Sequence, residues 1–287
     1  MSTQRSSFRF FHRLRVRWAE VDMQKIVFNG HYLMYMDTAM ADYWRALALP
    51  YEESMRQLGG DVYVKKAGVE YHASALYDDV LDVGLRCARV GNSSMRFEAG
   101  IFRGDAVLVT GELIYVFADP TNQTSRPVPD ALRSILESYE AGETLTDVRV
   151  GSWGTHQAHA STLRDEVFVQ EQGIAAPLVW DTADAGATHA VVLNRLGQPV
   201  ASGRLVQEAG ATGRIGRMAV KRALRGASLG RDVLLALVQV SRERGDHAVT
   251  LHAQCSAEGF YQRLGFQPRG DVFEEAGIAH REMVLPL

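Results

Sequence analysis

The chain has 287 residues, 46% hydrophobic and 23% charged, with 31 Lys and Arg against 34 Asp and Glu for a formal charge of −3. These proportions exclude disordered and fibrous classes, and the near-neutral balance argues against a nucleic-acid partner held by bulk charge. No apolar run approaches the ~20 residues of a membrane-spanning helix, and the opening residues carry no apolar signal-peptide core, so no membrane partner is expected.

The length predicts about two domains. The first opens on Leu14-Arg15-Val16-Arg17-Trp18, whose strict alternation reads as a strand. Continuing that alternation places Glu20 and Asp22 on the apolar side. A buried carboxylate wants a reason: either chemistry, because burial readies it as base or nucleophile, or a strand that ends at Ala19 with Asp22 capping a turn. A helix follows over about 31–47, apolar nearly all round and therefore predicted to be buried. Strands are predicted at 61–73, 79–90, 94–103 and 106–118, separated by turn-forming breaks. A short amphipathic helix carries Leu132, Ile135, Leu136 and Tyr139 at helical spacing. One long buried helix against a meander of antiparallel strands is an α+β pattern.

Between Asp22 and that helix lies a loop ending in Asn29, Gly30 and His31. A helix N-terminus offers unpaired N–H groups and the positive end of a dipole, which suit a developing oxyanion. His31 reads either as a substrate contact or as a cap or packing residue. Arg17-Trp18-Ala19-Glu20-Val21-Asp22, Ile26-Val27-Phe28 and Asn29-Gly30-His31-Tyr32 together resemble the hotdog-fold acyl-CoA thioesterases of the 4-hydroxybenzoyl-CoA thioesterase family. The resemblance spans about residues 8–140. It implies an antiparallel sheet wrapped round a central helix, a catalytic Asp22 acting as nucleophile or general base, and a helix start at Asn29, Gly30 and His31 that polarises the thioester carbonyl. It also implies a site built between protomers, hence a homodimer or homotetramer. The family usually has glycine where Lys25 stands; glycine would let the backbone approach substrate closely, and Lys25 would tighten the loop or offer a cation to CoA.

Ala141 to Asp147 is small and polar and reads as a linker between domains at 1–140 and 148–287. Nine of the ten tyrosines precede it; Tyr261 alone follows. The second domain is predicted to run strand 148–152, helix 158–171, strands 188–195, 199–207 and 212–221, helix 228–244, strand 248–254, short helix 256–264, and two strands around Glu275-Ala276-Gly277. Helix–strand alternation late in this domain points to an α/β layer with a mixed sheet.

No acidic residue lies between Ala209 and Arg231, while Arg214, Arg217, Lys221, Arg222, Arg225 and Arg231 do. Such a run is either a solvated face or an anion site. Its place favours the second: it brackets a strand and then Arg225-Gly226-Ala227-Ser228-Leu229-Gly230 entering a strong helix, where backbone N–H groups cradle phosphate. With Gly216-Arg217-Met218-Ala219-Val220 and Phe260-Tyr261-Gln262-Arg263-Leu264-Gly265-Phe266, the segment resembles the GNAT acetyltransferases. Leu163 to Gln172 and Phe273 to His280 are similar to the ElaA-like branch. The resemblance covers 148–287. It implies that Arg225, Gly226, Ala227, Ser228, Leu229, Gly230 and Arg231 bind CoA pyrophosphate, with Ser228 replacing the first glycine of the loop at little steric loss. It further implies that the strand from Arg217 through Met218 to Val220 pairs with pantetheine, and that Tyr261 is the general acid for the CoA thiolate. By packing alone, Tyr261 would be a core residue beside Phe260 and Phe266. No base stands out; Glu171, His189, His252 and Glu258 are candidates.

The joint expectation is an enzyme of two folds, α+β then α/β: acyl-CoA hydrolysis by the first, acetyl transfer from acetyl-CoA to an amine by the second. In the alternative, one half is a non-catalytic acyl-CoA binding or dimerisation module. No permanent cofactor is expected, since acyl-CoA and acetyl-CoA are substrates. No metal is expected either, because His156 and His159 lack a third ligand. The widely spaced Cys87 and Cys255 suit a reducing cytoplasm.

Overall fold

The computed structural model describes residues 4–287 and divides into two compact units, Met1–Leu145 and Thr146–Leu287. The first unit is a five-stranded antiparallel sheet in the order β1-β3-β4-β5-β2, formed by β1 (Phe10–Arg15), β2 (Asp61–Tyr71), β3 (Val80–Val90), β4 (Ser94–Arg103) and β5 (Ala106–Ala118). Helices α1 (Asn29–Ala46), α2 (Tyr51–Leu58) and α3 (Asp130–Glu140) complete the unit.

Helix α1 packs on the sheet through Tyr32, Tyr35, Met36, Ala39, Met40, Tyr43 and Trp44. Tyr43 meets Phe10, Phe97 and Tyr139 edge-to-face with centroids 5.3–5.5 Å apart, a geometry that adds to area burial. The helix sits so close that a Cβ on Gly111 would lie 2.7 Å from Met36. Contrary to expectation, α1 is not buried all round, because Leu33 and Met34 are exposed on the side away from the sheet. The first strand also differs. It ends at Arg15, and a 3-10 turn at Trp18–Glu20 breaks the alternation, leaving Trp18 exposed while Glu20 is buried. Helix α2 is unanticipated.

In the second unit a seven-stranded mixed sheet runs β11-β12-β10-β9-β8-β7-β6. Its strands are β6 (Thr146–Ser152), β7 (Thr188–Asn194), β8 (Pro199–Glu208), β9 (Thr212–Val220), β10 (Ala248–Gln254), β11 (Gln267–Glu275) and β12 (Ile278–Pro286). Only β9 and β10 pair in parallel, and α6 (Leu229–Arg244) supplies the crossover that parallel strands require. Val233, Leu234, Leu237 and Val238 of α6 share a core with Ile215, Val249, Leu251 and Ala253 of the sheet. Helix α4 (Trp153–Arg164) starts five residues before the predicted position and continues as a π-helical stretch, Asp165–Glu171. Short helices α5 (Ala176–Val179) and α7 (Glu258–Gln262) follow. Thr146 and Asp147, assigned to the linker from sequence, open β6.

Candidate functional site

In the first unit, the chain between β1 and α1 is locked at both ends by Glu20. Its carboxylate accepts Arg17 N–H at 2.7 Å, Arg17 Nε at 2.8 Å and the Tyr35 hydroxyl at 2.8 Å, while its carbonyl accepts Phe28 N–H at 2.9 Å. Burial alone would raise the Glu20 carboxyl, but the hydrogen bonds from Arg17 and Tyr35 outweigh it and hold the group below its ordinary value. Burial and the Glu20 contact push the Tyr35 hydroxyl upward, so it stays a donor.

Inside this clamp, residues 21–27 close as a small hairpin. Val21 bridges Val27, Lys25 N–H donates to Asp22 O at 2.9 Å, and Asp22 N–H donates to Ile26 O at 2.9 Å. A β-turn followed by a left-handed residue is a standard three-residue hairpin closure, and Lys25 is that residue at φ 61°. The glycine usual there in the resembling family therefore answers to backbone φ, a reason local to the loop. Asp22 is half-buried at the base of the hairpin, with Oδ1 accepting Gln24 N–H at 2.8 Å. The turn-capping role is thus present, and it leaves Oδ2 without a hydrogen bond among the described residues.

Helix α1 starts at Asn29 with no side-chain cap from Phe28, so the N–H groups of Asn29 and Gly30 have no intrahelical acceptor. His31 donates its N–H to Phe28 O at 2.9 Å, and its ring packs between Phe28 and Tyr35, with centroids 6.1 and 6.5 Å away. Its Nδ1 is buried without a partner. Around this loop stand exposed apolar side chains: Trp18, Met23, Phe28, Leu33 and Met34.

In the second unit the feature that organises the site is a fork. Strand β9 pairs with β10 only as far as Ile215↔Leu251, yet β9 runs on to Val220 and β10 to Gln254. The divergence coincides with a register shift against β8 and with Arg217 at φ 53°. Arg217 is fastened there by bonds to Val179 O at 2.9 Å, Leu178 O at 3.0 Å and Asp181 at 2.9 Å. Asp181 in turn binds Arg204, which reaches Asp184, and Asp184 binds Arg164. Burial raises the Asp184 carboxyl, but Arg164 and Arg204 more than reverse this. Past the kink, Met218 and Val220 are half-buried on a strand segment with one unpaired edge.

Beyond β9, Gly226 at φ 92° and Ser228 at φ 64° turn the chain into α6. The left-handed conformation shows that Ser228 is strained, a correction to the expected small steric loss. The Ser228 hydroxyl caps nothing, and the first bond of the helix runs from Asp232 N–H to Ser228 O at 3.1 Å. The N–H groups of Leu229, Gly230 and Arg231 therefore have no intrahelical acceptor, with exposed Arg225, Arg231 and half-buried Ala227 around them. Arg225 is not a free cation: it forms a two-pronged pair with Glu171, both bonds 2.7 Å, and reaches Val220 O at 3.3 Å.

Tyr261 of α7 is buried in the α6 core beside Phe260 and Phe266, with centroids 4.9 and 6.0 Å away. Its hydroxyl has no hydrogen-bond partner among the described residues, and burial pushes it up to about 12. The four candidate bases separate. Glu171 is committed to Arg225, whose bonds hold it low. His189 is fully buried on β7, two strands from β9, with Nε2 3.0 Å from Asp184 O. Glu258 faces Arg281 at 3.6 Å. His252 stands at the fork, bonded to Glu275, a partner that sequence reasoning missed because 23 residues separate the two. Among the described residues no cluster of three His, Cys, Asp or Glu could hold a metal ion, and no helix is long and apolar enough to cross a membrane.

Comparison with known proteins agrees with both halves. The family model described as the thioesterase superfamily matches residues 24–110, and the GNAT acetyltransferase domain model matches residues 157–287. A Bacillus subtilis protein provisionally named an acetyltransferase is 32% identical over 123 residues, 42% of this chain and 83% of its own length. An Aquifex aeolicus protein provisionally named an esterase is 32% identical over 96 residues, 33% of this chain and 74% of its own. A Lactobacillus plantarum crystal structure, provisionally an N-acetyltransferase, is 28% identical, covering 50% of this chain and 99% of its own with a TM-score of 0.48. A carboxylate loop feeding the central helix of an antiparallel sheet, followed by a forked mixed sheet with an arginine-rich helix start, thus belongs to a chain that joins a hotdog domain of the thioesterase superfamily to a GNAT acetyltransferase domain.

Proposed function

We propose that the chain is a bifunctional CoA-thioester enzyme that hydrolyses acyl-CoA with its first half and transfers acetyl from acetyl-CoA to an amine with its second. In the first half the carrying observation is the Glu20 clamp, which closes the short hairpin that carries Asp22 at the base of one arm and leads into the α1 N-terminus from the other. Asp22 attacks the thioester carbon or deprotonates a water that does so. The negative charge that develops on the carbonyl oxygen is met by the N–H groups of Asn29 and Gly30, with His31 packed behind them. In the second half the carrying observation is the β9–β10 fork beside the α6 N-terminus. The N–H groups from Ser228 to Arg231, with Arg225 and Arg231, take the pyrophosphate, while the Ala227 N–H is spent on Leu224 O. The unpaired edge from Arg217 through Met218 to Val220 takes pantetheine, and Tyr261 protonates the departing thiolate. Gly230 lets α6 approach β9, since a Cβ there would meet Val220 at 3.3 Å.

A second copy completes the hydrolytic site in this reading. Among the described residues strand β2, 11 residues long, pairs only with β5, and such an open edge recruits another strand. The exposed Trp18, Phe28, Leu33 and Met34 supply apolar surface to cover, so a homodimer or homotetramer is the assembly proposed.

The rival, binding without turnover, draws on the Asp22 carboxylate already engaged with Gln24. An acyl-CoA panel with and without amines, reading free thiol and N-acetylated product, separates the readings. Asp22→Ala should abolish amine-independent thiol release and leave transfer intact; Tyr261→Phe should do the reverse. Wild-type protein that binds acyl-CoA in calorimetry but releases no thiol would establish the rival.

A further inference from the structure

We infer that His252, oriented by Glu275, is the base that removes the proton from the acceptor amine. The inference rests on the acetyl-transfer reading above and supplies the residue on the acceptor side of the reaction.

The argument starts from strand alternation. On β10, Val249, Leu251 and Ala253 face the core that contains α6 and Tyr261. Successive side chains point to opposite faces, so Thr250, His252 and Gln254 face the other way. His252 is the first residue past the last β9–β10 pair, Ile215↔Leu251, and therefore stands where the two strands part. The fork thus has the candidate acid Tyr261 on one face and an imidazole on the other. That distribution suits the reaction, because the amine adds to one face of the acyl carbonyl and the thiolate departs afterwards along a different bond of the tetrahedral adduct, so base and acid act at separate places.

The imidazole is also built as a base. Its Nδ1 lies 2.7 Å from Glu275 Oε2 at the end of β11, and the ring packs edge-on to Phe273, with centroids 4.7 Å apart. A carboxylate on Nδ1 fixes the tautomer with hydrogen on Nδ1 and a lone pair on Nε2. The His252 side chain keeps 29% of its surface exposed, so a substrate reaches it, which buried His189 does not allow. Every packed element contributes to its field. Arg214 of β9 places Nη2 3.0 Å from Nδ1 and 3.4 Å from Nε2; Glu282 and His280 face it from β12, with Glu282 neutralised by Arg269 of β11 at 2.7 Å.

The acceptor class that needs such a base is a primary aliphatic amine, an ammonium ion at neutral pH. Nε2 takes one proton from the ammonium, and the freed lone pair forms the C–N bond. The tetrahedral adduct then expels CoA thiolate as the C–S bond breaks. The thiolate takes a proton from Tyr261, which regains one from the adduct nitrogen through solvent, and imidazolium returns its proton to water.

The test follows N-acetylated product by mass spectrometry, since thiol release would include hydrolysis. Two acceptor sets are compared with acetyl-CoA and full-length protein: aliphatic amines and hydrazides, whose nitrogen is already neutral at pH 7. His252→Gln should lower kcat at least 100-fold with aliphatic amines but only a few-fold with hydrazides, with unchanged CoA affinity in calorimetry. Glu275→Gln should lower kcat about 10-fold with the same amine dependence and the same KM for acetyl-CoA, and the double variant should be no worse than His252→Gln alone. Equal losses with both acceptor sets, or none in either, overturn the role of His252. Wild-type protein that acetylates no amine overturns the acetyl-transfer reading and this inference with it.

Discussion

The segment from Val21 to Phe28 and the segment from Lys221 to Ser228 each carry the chain from a strand region into a helix N-terminus. Each passes through a left-handed residue that is not glycine, Lys25 at φ 61° and Ser228 at φ 64°. They differ in how the rest of the loop is held. The first closes on itself, with Val21 bridged to Val27 and the Glu20 carbonyl bonded to Phe28. The second stays open at its far end: past a 3-10 turn at Arg222–Leu224, Gly226 is also left-handed, the segment holds no acidic residue, and its side-chain ties go outward, from Lys221 to Glu166 at 2.8 Å and from Arg225 to Glu171 at 2.7 Å. A closed loop holds one carboxylate, Asp22, near a helix start. An open loop leaves the N–H groups of Leu229, Gly230 and Arg231 in a row without intrahelical acceptors. Loop closure, more than the helix end, is what distinguishes the two segments.

Breaking the closed loop should have the largest effect. Glu20→Ala keeps the carbonyl that holds Phe28 but leaves the buried Tyr35 hydroxyl and the Arg17 N–H without their acceptor, and should cost about 3 kcal/mol in urea denaturation. Hydrolysis should fall with it, although Asp22 is untouched. The Glu20 carboxyl is held below its ordinary value near 4.5 in the folded protein, so its contribution is complete above that pH and is lost as pH drops through the lowered folded value. The melting temperature of Glu20→Gln should therefore fall less steeply than wild type in acid. Parallel acid slopes would show that the clamp is not set by this carboxylate.

The open loop should respond more weakly and in two directions. Arg225→Ala should raise KM for acetyl-CoA about 10-fold, the loss of roughly one charge-assisted contact. Glu171→Gln releases Arg225 from its two 2.7 Å bonds and should leave KM unchanged or lower it. If both variants raise KM alike, the ion pair is scaffolding for the loop and Arg225 is no phosphate ligand.

These contrasts also mark where sequence reasoning stops. Strands β4 and β5 are legible to the residue, because clear turn signals bound them. Alternation also singled out Glu20 and Asp22, but by a route the chain does not take: the 3-10 turn exposes Trp18 at 74% and buries Glu20 through hydrogen bonds. Helix α2 buries only Ser54 and Met55, too little for a periodic signal. The ties that define the sites are the least legible. Arg225 and Glu171 are 54 residues apart, and His252 and Glu275 are 23 apart, so nothing local connects them. What a sequence pattern carries is the conformation of a loop, as with the glycine positions taken by Lys25 and Ser228; its side-chain partners come only from the folded chain.

Those two positions give the smallest and sharpest contrast. A left-handed residue with a Cβ costs about 1–2 kcal/mol, and replacing it by glycine recovers that cost less about 0.4–1 kcal/mol of added unfolded-state entropy. Lys25→Gly and Ser228→Gly should each stabilise the protein by about 0.5–1 kcal/mol in denaturant titrations. The gains should part company when CoA is added. The Lys25 side chain leaves a closed hairpin, so Lys25→Gly should shift the ligand-free curve and leave CoA affinity as it was. The Ser228 side chain leaves the rim of the N–H row, so Ser228→Gly should also tighten CoA by up to about 3-fold in calorimetry, because a phosphate then meets bare backbone. A loss of CoA affinity on Ser228→Gly would mean that the hydroxyl itself binds the ligand, and the open loop would then grip by side chain as well as by backbone.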